Sequence, residues 1–453
     1  MKERKVILSS ENLVYEDDEI GSYEYSDGTL CYSRNAQMRW SYAVYAGPAN
    51  NEIEGAIDIP SKVTICDQEF KVVGITSFCE CNKITSLYIP KSVVEIKGEG
   101  IFSGCDNLES IIIDKDNPFI DSRDDCNAII YTRENWLISG CKNTIIPLSV
   151  TLIRDFAFEN CHCLPSIVFP DSVQTIGNYA FSGCSALKTI NIPENVSSIG
   201  KGAFQGCSGL NSLAVSNNNR VYDSRKNCNA IIETDSNILV AGCMNTIIPE
   251  SVTEIEEGTF ADNIFLKNIE LPDSIVSIGE KSFSNSGLVS IIIPKSIEHI
   301  DNNAFSGCKQ LKQISVDKEN AIFDSRNNCN AIIETASNKL LYGCKNTIIP
   351  PNVSIIGEAA FLENEEITSI VIPEGIESIE PYAFYGCKNL KSIYSYVKDP
   401  TACFIHVSAF FEHGENAVLY VPKGTADVYR NAQDGWLIFN DIQEFNTKHG
   451  NTF

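Results

Sequence analysis

The chain has 453 residues, of which 43% are hydrophobic, 21% charged and 9% aromatic, which is typical of a globular rather than a disordered protein. The 35 Lys and Arg residues against 59 Asp and Glu residues give a net charge of −24. Because this charge repels phosphate backbones, we expect no nucleic-acid partner. No apolar run reaches the ~18–20 residues that cross a bilayer, so we also expect no membrane insertion.

A short phrase repeats along the chain, and its anchor is the residue after a short apolar strand, usually the Pro of Ile-Pro. From Pro147 onward, neighbouring anchors are 22, 23 or 33 residues apart. A longer fragment, Asp-Ser-Arg-x-x-Cys-Asn-Ala-Ile-Ile, begins at Asp121, Asp223 and Asp324, at intervals of 102 and 101 residues. Duplication of a block of four repeats explains both periods. The anchors are Pro60, Pro90, Asp114, Pro147, Pro170, Pro193, Ser216, Pro249, Pro272, Pro294, Asp317, Pro350, Pro373 and Tyr396.

Each repeat contains one strand that ends at its anchor. In the repeat of Pro193, Leu187, Ile190 and Ile192 form the pattern Leu-x-x-Ile-x-Ile, and its last part alternates with the period of two that predicts a strand. Proline ends this strand because it cannot donate to a sheet ladder. One repeat cannot bury its apolar residues alone, so we predict that the repeats stack with parallel strands about 4.8 Å apart.

The phrase Ile-Pro-x-Ser-Val-x-x-Ile-Gly-x-x-Ala-Phe-x-Gly-Cys-x-x-Leu-x-x-Ile resembles the BspA-like, or Treponema-type, leucine-rich repeats. The longer fragment resembles the repeat variant of Bacteroides and Prevotella members. The resemblance covers residues 55–400 and implies an α/β repeat solenoid, a right-handed array with a parallel β-sheet on its concave face and short helical turns. It also implies a bacterial protein that is secreted or at the cell surface and adheres to host proteins or other cells. The first twenty residues lack the apolar core of a signal peptide, so a cytoplasmic location is the alternative.

Caps are expected at both ends of the solenoid, because an open end exposes core and an unpaired strand edge. We assign residues 1–55 to an N-terminal β cap, 56–400 to the solenoid and 401–453 to a C-terminal cap. Asp-Gly-Thr-Leu-Cys-Tyr and Ser-Tyr-Ala-Val-Tyr-Ala-Gly predict two strands in the first cap. Residues 417–422 predict a last strand, and the segment that follows predicts a closing helix and turn.

The cysteines belong mostly to the repeat. The resemblance implies that the Cys after each Ala-Phe phrase faces the core, where a thiol acts as a small apolar group. Three further pairs, Cys126/Cys141, Cys228/Cys243 and Cys329/Cys344, each flank a hairpin turn. In the third hairpin, pairing Ile332 with Leu341 sets Cys329 opposite Cys344. Opposed Cβ atoms lie about 4.5–5.5 Å apart, longer than the ~3.8 Å of a disulfide, so free thiols are favoured and disulfides remain the alternative.

Other chemical motifs are absent or incomplete in the sequence. Cys79-x-Cys81 and Cys161-x-Cys163 lack a second pair at zinc spacing. The segment from Asp114 to Asn117 resembles the start of a calcium loop, but its counterparts lack a full ligand set, so turn formation explains it better. No histidine lies in a catalytic motif. We therefore expect no enzymatic activity, no metal site and no cofactor.

The exposed side of the anchor strands is the candidate binding face. Period-two alternation predicts that the positions two and four before each anchor point away from the core, and the position five before borders the same face. Five before the anchor, six lysines occur. Four before the anchor, every residue is uncharged and polar, which cross-strand hydroxyl and amide ladders also explain. The lysines are Lys142, Lys188, Lys267, Lys312, Lys345 and Lys391, and the polar column runs Ser86, Ser110, Asn143, Ser166, Thr189, Ser212, Asn245, Asn268, Ser290, Gln313, Asn346, Ser369 and Ser392.

Two before the anchor, ten of thirteen residues are apolar. They form the column Tyr88, Ile112, Ile145, Val168, Asn191, Ala214, Ile247, Glu270, Ile292, Ser315, Ile348, Val371 and Tyr394. One explanation for this apolar column is that β-branched residues suit strands whichever way their side chains point. The other is a partner site, because a continuous apolar stripe flanked by polar residues and lysines is typical of one. On this second explanation the ligand-binding residues are Tyr88, Ile112, Lys188, Ile247, Lys267, Ile292, Lys312, Lys391 and Tyr394.

Together these observations predict a monomer that recognises a protein or glycan, on a host or neighbouring cell, through the concave face of a leucine-rich-repeat solenoid. The partner is expected to be elongated and acidic or neutral, with Tyr88 and Tyr394 as anchors near the two ends of the face. The alternative is an intracellular protein-interaction scaffold. Fold alone does not separate these functions.

Overall fold

The structure is a computed structural model that describes residues 6–17, 22–34, 42–414, 416–432 and 434–445. Two compact units make up the chain, residues 1–235 and 236–453. Most of the described regular structure is strand, in parallel ladders that recur with the sequence repeat. This confirms the predicted class of leucine-rich-repeat stack.

The first unit begins with a sheet that contains both strands predicted for the N-terminal cap, Leu30–Arg34 and Ala43–Pro48. The sheet continues beyond residue 55, because Gln68–Ile75 pairs in parallel with Ala43–Pro48. Its apolar side joins the core of the first repeats through Leu30, Tyr32 and Val44. The strands of this sheet are Val6–Leu8, Leu13–Asp17, Ser22–Ser26, Leu30–Arg34, Ala43–Pro48, Lys62–Ile65, Gln68–Ile75 and Glu95–Ile96.

The strands that end before the anchors, here called anchor strands, pair in parallel with their neighbours in the next repeat. In the first unit they are Glu54–Asp58, Lys83–Ile89, Ser110–Ile113, Thr189–Ile192 and Ser212–Val215. In the second unit they are Ser290–Ile293, Gln313–Val316, Ser369–Ile372 and Ser392–Ser395, and the sheet continues through Val418–Pro422 and Asp441–Phe445.

A second parallel ladder runs through the Ile-Gly part of the repeats. In the first unit its two-residue strands are Leu152–Ile153, Thr175–Ile176 and Ser198–Ile199. In the second unit they are Glu254–Ile255, Ser277–Ile278, His299–Ile300, Ile355–Ile356, Ser378–Ile379 and Phe404–Ile405. Within each unit, repeats that form both strands are therefore held together by backbone bonds on two sides of the core. The strands predicted before Pro147, Pro170, Pro249, Pro272 and Pro350 are not formed, and those described segments are extended chain without a strand ladder.

The longer repeats insert a hairpin between anchors. Its strands are Ile120–Asp121, Ala128–Tyr131 and Trp136–Gly140 in the first unit, followed there by Tyr222–Asp223 and Ala230–Glu233. In the second unit they are Ile238–Gly242, Phe323–Asp324, Ala331–Glu334 and Lys339–Gly343. The helix is Ala426–Asn431, as predicted, and 3-10 turns span Ser10–Asn12, Arg123–Asp125, Arg225–Asn227, Arg326–Asn328, Pro400–Ala402 and Asp434–Ile438.

An ion pair closes each of these hairpins. Nε and Nη2 of Arg326 donate to the two carboxylate oxygens of Asp324, while Nη1 donates to Asn338 Oδ1 at 2.8 Å. Burial by itself raises the pKa of Asp324, but the hydrogen bonds and charge of Arg326 outweigh it and hold that pKa below its usual value. Asp121 and Arg123 repeat this pair in the first unit. The recurring Asp-Ser-Arg is thus a structural element of the hairpin.

Stacked phenylalanines run through the core of each unit. In the first, the fully buried Phe181 lies between Phe158 and Phe204, with ring centroids 4.9 and 5.7 Å away. In the second, Phe283 lies between Phe260 and Phe305 at 5.2 and 5.3 Å. Each ring is covered by the rings of neighbouring repeats, so the core exists only in the stack.

The repeat cysteines are buried, as predicted, and their thiols also make hydrogen bonds. Cys184 Sγ donates to the carbonyl of Phe158 at 3.1 Å, and Cys207 Sγ to that of Phe181 at 3.0 Å. The same bond joins Cys105 to Phe78, Cys308 to Phe283 and Cys387 to Phe361. A thiol is therefore a donor between repeats as well as a small apolar group.

A buried asparagine fastens the turn after some anchors. Asn117, 7% exposed, donates from Nδ2 to the carbonyls of Val93 and Pro90, and its Oδ1 accepts from the amides of Phe119 and Ile120. Asn219 and Asn320 make the same four bonds. These residues occupy the segments that resemble a calcium loop, and their amides bind backbone groups.

Removing the Phe181 ring should destabilise the protein strongly. Phe181→Ala leaves a cavity between two rings that cannot close, at an expected cost of about 3–5 kcal/mol in unfolding free energy. Chemical denaturation measures this loss. Phe265→Ala is the matched control. Phe265 is 53% exposed, so its substitution should lower the unfolding free energy only slightly. A loss under ~1 kcal/mol for Phe181→Ala would mean that the ring column is not core.

Asn117→Asp tests the asparagine turn with almost no change of shape. The carboxylate cannot donate, so an oxygen faces the carbonyls of Val93 and Pro90, at an expected cost of about 2–4 kcal/mol in unfolding free energy. Asn352→Asp, at an exposed position, should change stability by less than about 0.5 kcal/mol. Equal denaturation midpoints for the two variants would contradict a structural role for this amide.

Candidate functional site

The pairing register aligns the predicted face residues across the anchor strands. In the first unit Tyr88 pairs with Ile112, and Asn191 pairs with Ala214. In the second unit Ile292 pairs with Ser315, and Val371 with Tyr394. Where both neighbouring repeats form anchor strands, the residues two before their anchors therefore lie side by side. Five other members of the column lie in described segments that form no strand, namely Ile145, Val168, Ile247, Glu270 and Ile348.

None of the thirteen residues two before the anchors is buried. Nine are exposed, and Tyr88, Ser315, Val371 and Tyr394 are half-buried. The contrast within one strand is sharp, since Ile292 is 65% exposed while its neighbours Ile291 and Ile293 are 2% and 0% exposed. The polar residues four before the anchors are also exposed or half-buried. Alternation alone thus separates this face from the core.

The lysines of the face differ in their partners. Lys142 pairs with Glu109 at 3.1 Å, and Lys345 with Glu366 at 2.6 Å. The hydrogen bond from Lys345 lowers the pKa of Glu366. Lys188, Lys267, Lys312 and Lys391 have no carboxylate within 4.0 Å among the residues that the structure describes. All four ammonium groups are exposed. Lys267 Nζ donates to the carbonyl of Ile264 at 3.0 Å, and the charge of Lys312 adds to the lowering of the pKa of Glu366 by Lys345.

Tyr88 lies in acidic surroundings at the start of the face. Its hydroxyl donates to Asp114 Oδ2 at 2.9 Å, and Asp58 is its partner in the strand register. Burial, followed by the hydrogen bond to Asp114, raises its pKa to about 12. Tyr88 therefore stays neutral, and the nearby acids oppose an anionic ligand at this end.

Tyr394 belongs to an aromatic cluster that the column of anchors did not predict. Its ring stacks on Tyr420 with centroids 4.7 Å apart, while Phe445 contacts the edges of Tyr394 and Tyr396 at 6.2 and 5.1 Å. Strands Val418–Pro422 and Asp441–Phe445 continue the sheet and supply two of these rings. The sequence could have shown this cluster, because the alternation of residues 417–422 places Val418 and Tyr420 on one side of their strand. The strand pairing puts that side next to Tyr394.

The predicted hairpin register was wrong by one residue. Ile333 pairs with Leu340 as expected, but Ile332 pairs with Tyr342, because Leu341 forms a bulge. The cysteines are consequently not opposed, and their sulfurs contact backbone carbonyls, Cys344 that of Asn330 at 3.4 Å and Cys329 that of Ala331 at 3.9 Å. Cys329 and Cys344 are free thiols, and so are Cys126 and Cys141. For these two pairs the favoured prediction of free thiols is confirmed. Cys228 and Cys243 lie in different units.

Thiol labelling should distinguish the cysteine classes. Cys66, Cys79 and Cys163 are exposed, whereas burial raises the pKa of Cys126 and Cys329 to about 11 each. Iodoacetamide at neutral pH should therefore modify only the three exposed cysteines of the native protein, as mapped by mass spectrometry. After unfolding without reductant all 18 should react. A protected pair at Cys126/Cys141 or Cys329/Cys344 in the unfolded chain would demonstrate a disulfide.

The described residues contain no cluster of three or more His, Cys, Asp or Glu side chains arranged to hold a metal ion. Among those same residues, no helix has the length and apolar character that spanning a membrane requires.

Family comparison agrees with this architecture. The model of the BspA type leucine-rich repeat region matches residues 57–124, 138–234, 241–336 and 327–412, which is more than half of the chain. The protein belongs to the BspA type leucine-rich repeat family. A comparison with the sequences of curated proteins gave no match.

Solved structures with similar folds come from several bacteria. A leucine-rich cell-surface protein of Faecalibacterium prausnitzii is 22% identical, with 94% of this chain and 96% of that chain covered and a TM-score of 0.38. A leucine-rich repeat protein of Bacteroides ovatus is 23% identical, with coverages of 93% and 100% and a TM-score of 0.35. The pneumococcal vaccine antigen PcpA is 17% identical, with coverages of 94% and 100% and a TM-score of 0.35.

Proposed function

We propose that this BspA type protein is a non-enzymatic recognition protein that binds an elongated protein or glycan through the exposed face of its anchor strands, in an adhesive role at the cell surface. The proposal rests on the exposure of large apolar side chains two before the anchors, with Ile292 at 65% in its anchor strand and Ile247 at 74% in the segment before Pro249. Apolar side chains aligned at one strand position are typical of a partner surface. The predicted residues Ile112, Lys188, Lys267, Lys312 and Lys391 are exposed as well.

The chemistry of the face supports binding rather than catalysis. Its polar groups are amides, hydroxyls and lysines, and the columns contain the acids Asp58, Glu109 and Glu270 without a histidine beside them. General acid–base catalysis needs a titrating group within hydrogen-bond reach of another reactive group. Repeat proteins of this family are generally non-enzymatic. An intracellular scaffold remains the second candidate, and the same face would serve it.

Substitution of two isoleucines should abolish binding without unfolding the protein. A panel of purified extracellular-matrix proteins and immobilised glycans is screened with the full chain, and we expect at least one to bind. Ile247→Glu combined with Ile292→Glu places two carboxylates in the apolar column, so affinity should fall at least about tenfold. Val407→Glu is the matched control, because Val407 is 55% exposed and lies outside the columns.

Two results would contradict the proposal. Unchanged binding by the double variant, with native stability, would place the site elsewhere. Recovery of the protein only in the cytosol, after fractionation of its native host, would end the adhesive role and favour the scaffold.

A further inference from the structure

In the second unit, apolar and basic side chains alternate from one repeat to the next along the face. Ile247, Ile292 and Ile348 stand two before the first, third and fifth anchors of this unit, and they are 74%, 65% and 57% exposed. Lys267 and Lys312 stand five before the second and fourth anchors, and both are exposed. The pattern therefore has a period of two repeats, although of these five described repeats only those of Pro294 and Asp317 form anchor strands.

Backbone bonds fix the spacing of this pattern. The amide of Val289 donates to the carbonyl of Lys267 at 3.0 Å, and the amide of Lys312 donates to the carbonyl of Val289 at 2.9 Å. Asn346 Nδ2 reaches the carbonyl of Lys312 at 3.1 Å, which places the next repeat beside it. Because hydrogen-bonded neighbouring backbones lie about 4.8 Å apart, equivalent groups two repeats apart recur about every 9.6 Å.

This distance selects a backbone conformation for the partner. A polyproline II helix has three residues per turn and rises about 3.1 Å per residue, so it presents the same side every ~9.3 Å. One turn of an α-helix rises only about 5.4 Å, which does not match the period of two repeats. A polyproline II chain that crosses the strands can thus repeat its contacts in step with the face.

Charge and side-chain type select its chemistry. Lys267 and Lys312 have no carboxylate within 4.0 Å among the described residues, so their charges can attract an anion. Lys267 Nζ donates to the backbone carbonyl of Ile264, at 3.0 Å, and Lys312 acts on Glu366 from beyond ion-pair distance. The exposed isoleucines are aliphatic and suit proline or aliphatic side chains better than sugar rings. Glu270, between Ile247 and Ile292 in the apolar column, opposes a uniform polyanion and favours a partner whose carboxylates lie only over the lysine column.

We infer that this part of the face binds an acidic polypeptide in the polyproline II conformation, with an aliphatic residue and a carboxylate each recurring at every third position. The inference rests on the proposed function and specifies its partner. Lys345 is already paired with Glu366, so Lys267 and Lys312 make the charged contacts.

Fluorescence anisotropy with labelled peptides tests the inference on the full chain. The probe has five Pro-Val-Glu triplets; one control has the same residues in an order without a three-residue period, and another replaces Glu by Lys. We expect the periodic acidic peptide to bind at least about tenfold more tightly than either control, and more weakly as ionic strength rises. The double substitution Lys267→Glu and Lys312→Glu should weaken binding of the periodic acidic peptide at least about tenfold. Lys388→Glu is the control and should leave this binding unchanged, because Lys388 is exposed and lies outside the columns.

Equal binding of the periodic and aperiodic peptides would overturn the inference, as would full binding by the double lysine variant. Binding of polygalacturonate but of no peptide would overturn it in favour of a glycan. Failure of every peptide, while the double isoleucine variant loses its panel ligand, contradicts this inference alone. Retention of that ligand by the isoleucine variant contradicts the proposed function itself.

Discussion

Stacking of repeats is the constraint on which the rest of the structure depends. A single repeat presents a strand without hydrogen-bond partners and a phenylalanine without cover, and both needs are met only by its neighbours. In the core of the first unit, Phe181 has rings on both sides and is fully buried. Because the strand period is two, fixing one set of side chains in this core places the alternate set outside. A slip of one residue would exchange Ile291 for Ile292, so the core register also determines the binding face.

Polar groups inside the stack follow the same logic. Buried carbonyls between repeats need donors, and a cysteine thiol is small enough to reach one from an apolar column. Asparagine occupies the equivalent position at Asn263 and Asn364, where the described residues provide no partner for Oδ1. The column thus tolerates an amide, while the thiol is the residue that satisfies both packing and hydrogen bonding. This explains a high cysteine content without disulfide formation at the described hairpin pairs.

The sequence predicted the repeat, nine of the fourteen anchor strands and the side of each that faces out, because all three follow from local periodicity. It did not predict that the described segments before Pro147, Pro170, Pro249, Pro272 and Pro350 form no strand. It did not predict the hairpin register, since whether Leu341 pairs or bulges depends on how the hairpin packs between repeats rather than on its own pattern. The four bonds of Asn117 were missed for a related reason, because two of its acceptors come from the preceding repeat, more than 20 residues away. Long-range partners leave no periodic signal in one chain.

The candidate face was predictable only in part. Exposure of the columns follows from alternation, whereas the state of each lysine depends on which acids its neighbours bring near. Glu366 neutralises Lys345, and Glu109 neutralises Lys142, yet both acids lie in other repeats. The count of lysines in a column therefore overstates its charge.

Electrostatic selectivity on this face must be local. On a chain of net charge −24, acidic partners are repelled at long range, and exposed charges are screened beyond about 8–10 Å at physiological salt. An anionic ligand gains attraction only after it reaches Lys267 or Lys312, where the distance is shorter than the screening length. Apolar contact with Ile247 and Ile292 must then supply the stability of the complex, while the lysines set orientation and register. A few cations without an ion-pair partner beside an apolar column thus favour partners that match its spacing over partners that are merely charged.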